Sequence, residues 1–252
     1  MTKVTILYSG GLDSLAMYYL CKGYIPIGAE PVVVHPIFFD IGQPYLEKEI
    51  RSLPPETDIR RVDWLGKTKD GIKTMGLAGD IYIPGRNMAL AALAACMTLP
   101  DELWIGALAG ETHAKAVDKN NTFRHMMTTV LSYTTMKPNL EVMFPLAARG
   151  WNKVSIVEYL LQRGVSVEEI HNTNSCLSNT PTPCGHCISC FRRWGVFGQL
   201  GIPEAYEVDP LSVEANLAIL SEMKHGTHYD GNRKAEIVPY VIVKHRKLWA
   251  DL

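Results

Sequence analysis

An α/β protein with a doubly wound parallel sheet is what this sequence predicts, and three observations predict it. Strand-like and helix-like runs alternate over most of the length. The stretch from Val32-Val33-Val34 to Phe38-Phe39 is continuously apolar, as in a strand covered on both faces. Leu7-Tyr8-Ser9-Gly10-Gly11-Leu12-Asp13-Ser14 joins a β-type run directly to a helix-forming run, through two glycines and flanking hydroxyls.

The elements follow in order. Lys3–Tyr8 is the first expected strand, and Leu12–Lys22 is a helix apolar on nearly every side. The second strand ends in Asp40-Ile41-Gly42-Gln43, with a polar helix over about Tyr45–Ser52 and a weaker strand at Asp58–Asp63. Asp80–Gly85 reads as a loop, and Asn87 as the cap of a helix over Met88–Met97. Leu103–Leu108 is the fourth strand, Gly110–Asn121 is irregular, and Thr122–Thr135 is helical. Val142–Leu146 is the fifth strand and Lys153–Gln162 an amphipathic helix. From His171 the regular alternation ends in a stretch rich in Asn, Ser, Thr, Pro, Gly and Cys. Beyond Pro203, Leu211–Met223 reads as helix, Gly226–Arg233 as a polar loop, and Ile237–Val243 as a final strand or arm. This tail is expected to pack or dimerise rather than to catalyse.

Composition narrows the class. The 252 residues suffice for one α/β domain with an appendage, with 47% hydrophobic and 20% charged residues. A formal charge of −1 argues against broad attraction to nucleic acid or a membrane surface, so neither partner is expected. The chain opens directly on Val4-Thr5-Ile6-Leu7 and holds no long apolar span, which points to the cytoplasm. Four of the six cysteines crowd into Cys176–Cys190, while Cys21 and Cys96 sit alone in apolar helices, where burial is expected. That clustering suggests a reducing compartment and a metal site.

Ligands of open α/β sheets sit beyond the carboxyl ends of the strands. The turns after strands one, two and four should therefore share one crevice. Glycines and a helix N-terminus at Ser9–Ser14 suit an oxyanion, and no Gly-Lys-Ser/Thr follows to make a Walker loop. Asp13 suits either Mg²⁺ on a pyrophosphate or the helix N-terminus itself, the latter for about 0.3–1 kcal/mol. A nucleotide base would lie near Phe38–Asp40. Arg86, after a Pro-Gly turn, suits bidentate contact with phosphate or carboxylate. Cys176-x7-Cys184-x2-Cys187-x2-Cys190 suits a tetrahedral Zn²⁺ with Zn–S near ~2.3 Å, in preference to an iron–sulfur run. His186 is expected to be a bystander, and Arg192 and Arg193 to reach from the knuckle towards an anionic ligand. His113 and His125 flank the irregular stretch and form no triad.

Ser9-Gly10-Gly11-Leu12-Asp13-Ser14 resembles the pyrophosphate loop (PP-loop) of ATP pyrophosphatases, Rossmann-like enzymes that split ATP between its α and β phosphates. In order with Asp40-Ile41-Gly42-Gln43, Pro84-Gly85-Arg86-Asn87, Pro145-Leu146, Lys153, Thr173-Asn174-Ser175-Cys176, Cys184-Gly185-His186-Cys187, Cys190 and Arg193, it resembles the QueC-type 7-cyano-7-deazaguanine synthases over residues 3–201. The resemblance implies ATP held by Ser9, Gly10, Gly11, Leu12, Asp13, Ser14 and Asp40, with Asp13 and Arg86 catalytic. It implies substrate held by Gln43, Arg86, Asn87, Lys153 and Arg193, structural Zn²⁺ on the four cysteines, Mg²⁺ with the ATP, and a homodimer. Residues 1–170 would form the ATP-binding domain, 171–203 the zinc segment and 204–252 an extension. The implied reaction adenylates the carboxylate of 7-carboxy-7-deazaguanine, and ammonia then gives the nitrile through the amide. Two places depart from the family: Asp118–Arg124 lacks the usual Gly-Tyr-Pro-Asp-Cys stretch, and Asn174 stands where the family tends to have Trp. They leave open an alternative in which the activated deazaguanine joins another amine, such as a protein N-terminus in an antiphage or phage system. A tRNA-thiolation enzyme and a non-catalytic zinc-knuckle module are the remaining readings.

Overall fold

A computed structural model describes residues 1–23, 31–62, 85–112, 117–226 and 231–252. The expected loop before Gly85, including Pro84, and His113 lie outside the described residues. Among these residues five strands, β1 (Thr2–Leu7), β2 (Val32–Asp40), β3 (Asp58–Arg61), β4 (Glu102–Trp104) and β5 (Glu141–Met143), pair in parallel in the order β3-β2-β1-β4-β5. Strand order reverses between β1 and β4, which opens a crevice at their carboxyl ends. The predicted doubly wound sheet is present.

Alternation along the strands divides the core between two faces. Val4, Ile6 and Trp104 pack with α1 (Leu12–Lys22) and α6 (Lys153–Gln162) on one face. Ile37, Phe39, Leu103 and Ile105 pack with α3 (Arg86–Thr98) and α4 (Asn121–Thr134) on the other. The small residues Ala91, Ala94 and Ala95 bring α3 close to the sheet. Among the described residues this region also holds α2 (Leu46–Arg51), α5 (Pro145–Ala148), α7 (Val167–Asn172) and a 3-10 turn at Ala109–Thr112.

Several expected boundaries move, each for a local reason. Strand four ends at Trp104 because Ala107 N–H turns back to the Ile105 carbonyl (2.9 Å), drawing Gly106 out of the sheet. Strand five ends before Pro145, which starts α5 and has no N–H for a ladder. Asn87 does not cap α3. Gly85, with φ 71°, holds the N-cap position, and Asn87 Nδ2 donates to the Asp118 carbonyl at 3.3 Å. Cys21 is buried as expected, whereas Cys96 is exposed.

The largest correction lies in the tail. Ile237–Val243 belongs to a helix, α10 (Gly231–Lys244), flanked by α9 (Glu214–His225) and α11 (Arg246–Asp251). Its β-branched run alternates by composition, yet Ile237, Val238 and Val241 are the residues buried, at helical spacing, against Ile188 and Phe191 of α8 (Ile188–Gln199). Two glycines of α8 let the helices close. A Cβ on Gly195 would lie 2.7 Å from the Glu236 carbonyl oxygen, and one on Gly198 would meet the Tyr240 ring. Tertiary packing overrides propensity here. The tail packs, as expected.

Candidate nucleotide site and four-cysteine cluster

Strand β1 delivers the Ser9–Ser14 turn to the crevice, and α1 leaves it. Gly10 has φ 73°, and its carbonyl accepts from Asn174 N–H (2.8 Å) and Ser52 Oγ–H (2.7 Å). A Cβ at Gly10 would stand 2.7 Å from the Glu49 carbonyl oxygen, so handedness and space both demand glycine. Gly11 differs. It caps α1 in ordinary extended backbone, φ −97° and ψ 171°, and its nearest neighbour would be the Asn174 carbonyl at 3.3 Å. Gly10→Ala should therefore cost about 1–3 kcal/mol of stability and Gly11→Ala clearly less, as denaturant unfolding of the two variants would measure. Equal losses would refute the distinction.

The crevice beyond these strands has a volume of about 240 Å³. Ser9, Asp13 and Ser14 form one side, Phe38, Phe39 and Ile41 an apolar wall, and Gln43, Arg86, Asn87 and Lys119 polar edges. Ser14 Oγ donates to the Gly11 carbonyl (2.8 Å), which sets the hydroxyl within the first turn of α1. Gln43 Oε1 accepts from Ile41 N–H (3.0 Å) while its amide donates to Glu49. Asp13 Oδ1 meets Lys153 Nζ at 2.7 Å, from the first position of α6.

Other expected residues are placed elsewhere. Leu12 is core, with its side chain in the cluster on the α1 face. Asp40 turns to Gly42 N–H (2.8 Å) and faces Arg61 (3.8 Å), so it shapes the turn after β2 instead of lining the crevice. Arg193 is a correction: it is 3% exposed and does not line the crevice. Its guanidinium binds Glu204 (2.8 Å), Thr173 Oγ1 (2.8 Å) and the Ile170 carbonyl (3.2 Å), over the Phe197 ring. Arg192 is likewise buried, on Glu236 and Glu111, so neither arginine reaches an external anion. His125 is exposed, beside Arg124.

Three charged residues escape sequence reasoning. Lys119 lines the crevice, with Nζ 3.2 Å from Glu111 Oε2. Glu111 also accepts from Leu108 N–H (3.3 Å) and from Arg192 (3.3 Å). Burial pushes its carboxyl up, but Lys119, Arg192 and Lys153 together hold it well below the usual carboxylate range. Glu111 is thus a fixed negative charge under Lys119, unsuited to proton transfer near neutral pH. Glu236, on α10, is fully buried. The one signal in the sequence was the departure at Asp118–Arg124, which contains Lys119.

The four cysteines come together as expected. Their Sγ atoms all lie within 4.8 Å of one another, and Cys184 and Cys190 are 3.8 Å apart. A tetrahedral ion with metal–sulfur bonds of ~2.3 Å spaces its sulfurs by about 3.8 Å. A cubane of four irons, with one thiolate on each, needs them spread more widely. Ser178 and Cys184 N–H donate to Cys176 Sγ, and Cys190 N–H to Cys187 Sγ, each at 3.4 Å, favouring thiolates. The donor set fits a single thiophilic cation, and His186 is exposed outside it.

The sequence profile described as "Queuosine biosynthesis protein QueC" matches residues 67–201, more than half of the chain. A 7-cyano-7-deazaguanine synthase of Marinobacter nauticus is 27% identical over 233 residues, covering 81% of this chain and 97% of that protein. One from Methanosarcina mazei is 26% identical over 236 residues, covering 80% and 96%. Among solved structures, the U34-tRNA thiolase NcsA from Methanococcus maripaludis with its [4Fe-4S] cluster aligns over 98% of this chain and 72% of that one, at TM-score 0.41 and 16% identity. With its profile match spanning more than half its length, the chain belongs to the QueC family.

Proposed function

We propose that the protein uses ATP to activate the carboxylate of 7-carboxy-7-deazaguanine and passes the acyl group to ammonia, giving 7-cyano-7-deazaguanine. One observation carries the reading: at the β1/β4 switch point, Ser9, Ser14 and Asp13, which holds Lys153, line one crevice with Arg86 and Lys119. The names of the relatives support the deazaguanine.

In this reading the triphosphate lies on the first turn of α1, where N–H groups lack intrahelical partners. The purine-like ring lies against Phe38 and Phe39. A substrate carboxylate oxygen attacks the α phosphorus, the α–β bond breaks, and pyrophosphate leaves. Arg86 and Lys119 hold the carboxylate and offset charge at phosphorus. Ammonia then adds to the acyl carbon, AMP leaves, and a proton is lost, which gives the amide. A second ATP activates the amide oxygen in the same way, pyrophosphate leaves, and loss of AMP with the two amide protons gives the nitrile. No protein nucleophile is required. Mg²⁺ bound with ATP would offset phosphate charge, with Asp13 the carboxylate proposed to hold it, and Zn²⁺ is the cation proposed for the four thiolates.

Sulfur transfer is disfavoured because none of the six cysteines lines the crevice. Burial pushes the Cys21 thiol up to about 12. Incubation with ATP, 7-carboxy-7-deazaguanine and ammonium, followed by pyrophosphate assay and product mass, tests the reading. Two pyrophosphates per nitrile are expected. Amide formed only on a protein amine would move the acceptor, and no pyrophosphate release would overturn the reaction.

A further inference from the structure

Glu236 lies outside the stretch matched by the family profile, residues 67–201, yet reaches the crevice by two routes. Its carboxylate is fully buried and accepts from Lys153 N–H (2.7 Å), Arg192 Nη2 (2.9 Å) and Arg192 Nε. By the first route it anchors the backbone of Lys153, whose Nζ lies on Asp13. By the second it holds Arg192, which contacts Glu111 (3.3 Å), and Glu111 holds Lys119 at the crevice edge (3.2 Å).

We propose that Glu236 is a positioning residue for the nucleotide site, fixing the ammonium groups of Lys153 and Lys119 from the C-terminal extension. What the crevice binds rests on the function proposed above; the positioning rests on the bonds just described. Packing alone does not call for this carboxylate. Ile237, Val238 and Val241 already seat α10, and Gly195 and Gly198 admit it closely. A buried ion pair is weak evidence for stability, since apolar residues of similar volume often replace one without loss. What Glu236 adds is orientation. It joins α6, α8 and α10 at one point, and both routes from that point end in a cation beside the crevice.

The metal-loaded protein is compared with Arg192→Leu/Glu236→Leu and Glu236→Gln. Three quantities are read: melting temperature, the Kd of a non-hydrolysable ATP analogue with Mg²⁺, and KM against kcat for pyrophosphate release. The double variant is expected to melt within a few degrees of the parent while its Kd for the analogue rises about tenfold or more. Recovery of both stability and affinity would overturn the proposal, because packing would then be the whole role. If the double variant does not fold, Glu236→Gln decides. It keeps an acceptor for Lys153 N–H but loses the charge facing Arg192, so a raised KM for ATP is expected and an unchanged KM overturns the proposal. A parent protein that binds the analogue but releases no pyrophosphate would overturn the reaction, leaving the Kd comparison to judge Glu236.

Discussion

Truncating Lys153 to alanine is expected to lower kcat/KM for ATP by about 100- to 1,000-fold. Its ammonium lies 2.7 Å from Asp13 Oδ1, in a pair whose side chains are 15% and 24% exposed. Asp13 sits in the first turn of α1, beside the expected path of the phosphates. Without Lys153, that carboxylate would face the charge growing on the departing pyrophosphate. The loss should therefore fall on the chemical step and on nucleotide binding, while the fold persists. Pyrophosphate release by Lys153→Ala, Asp13→Asn and the double variant checks this. A double variant no slower than Asp13→Asn assigns Lys153 to neutralising Asp13, whereas a further loss assigns it to the phosphates themselves. A change of less than about twofold in the single variant would remove Lys153 from the site.

Cys176→Ala should abolish metal binding and destabilise the chain by about 4 kcal/mol or more, the scale associated with losing a structural metal. For a chain of this length, that is a fall in melting temperature of about ten degrees. Among the described residues the four cysteines form a small cluster of their own with Tyr206 packed against it, so it has little hydrophobic core. Cys176 also carries the turn that Asn174 closes, donating its N–H to Asn174 Oδ1 at 3.2 Å. Metal analysis and calorimetry on the variant, and on the parent treated with a strong chelator, check the expectation. One zinc per parent chain and none in the variant is the expected result. Full occupancy with an unchanged melting temperature in the variant would contradict it.

The parts of the fold legible in the sequence are those whose causes are local. Leu12–Lys22 and Lys153–Gln162 lie where the sequence places them, the first after its glycine turn; the structure adds Asn152, whose Oδ1 accepts from Ser155 N–H at 3.0 Å, as the cap of the second. Helix α10 is unreadable for the opposite reason. Its run Ile237-Val238-Pro239-Tyr240-Val241-Ile242-Val243 favours a strand, and the deciding glycines lie on α8. Within the candidate site, Ser9, Asp13, Ser14, Gln43, Arg86 and Asn87 are identifiable by chemical type and motif, and they meet in the crevice. The network behind it is different. Arg192 is 44 residues from Glu236 and 81 from Glu111, and no spacing rule connects them. Arg193 shows the converse error, since a motif position says nothing of whether its guanidinium is already taken up by Glu204 and Thr173.

The bond from Asn174 N–H to the Gly10 carbonyl ties the glycine turn to a backbone segment that reaches Cys176 two residues later. Occupancy of the thiolates and occupancy of the crevice therefore share one strut. Under the proposed function, any factor by which a cation on the thiolates changes nucleotide affinity is the factor by which nucleotide changes that of the cation. A substitution at Asn174 would therefore disturb the glycine turn and the approach to the cysteines together.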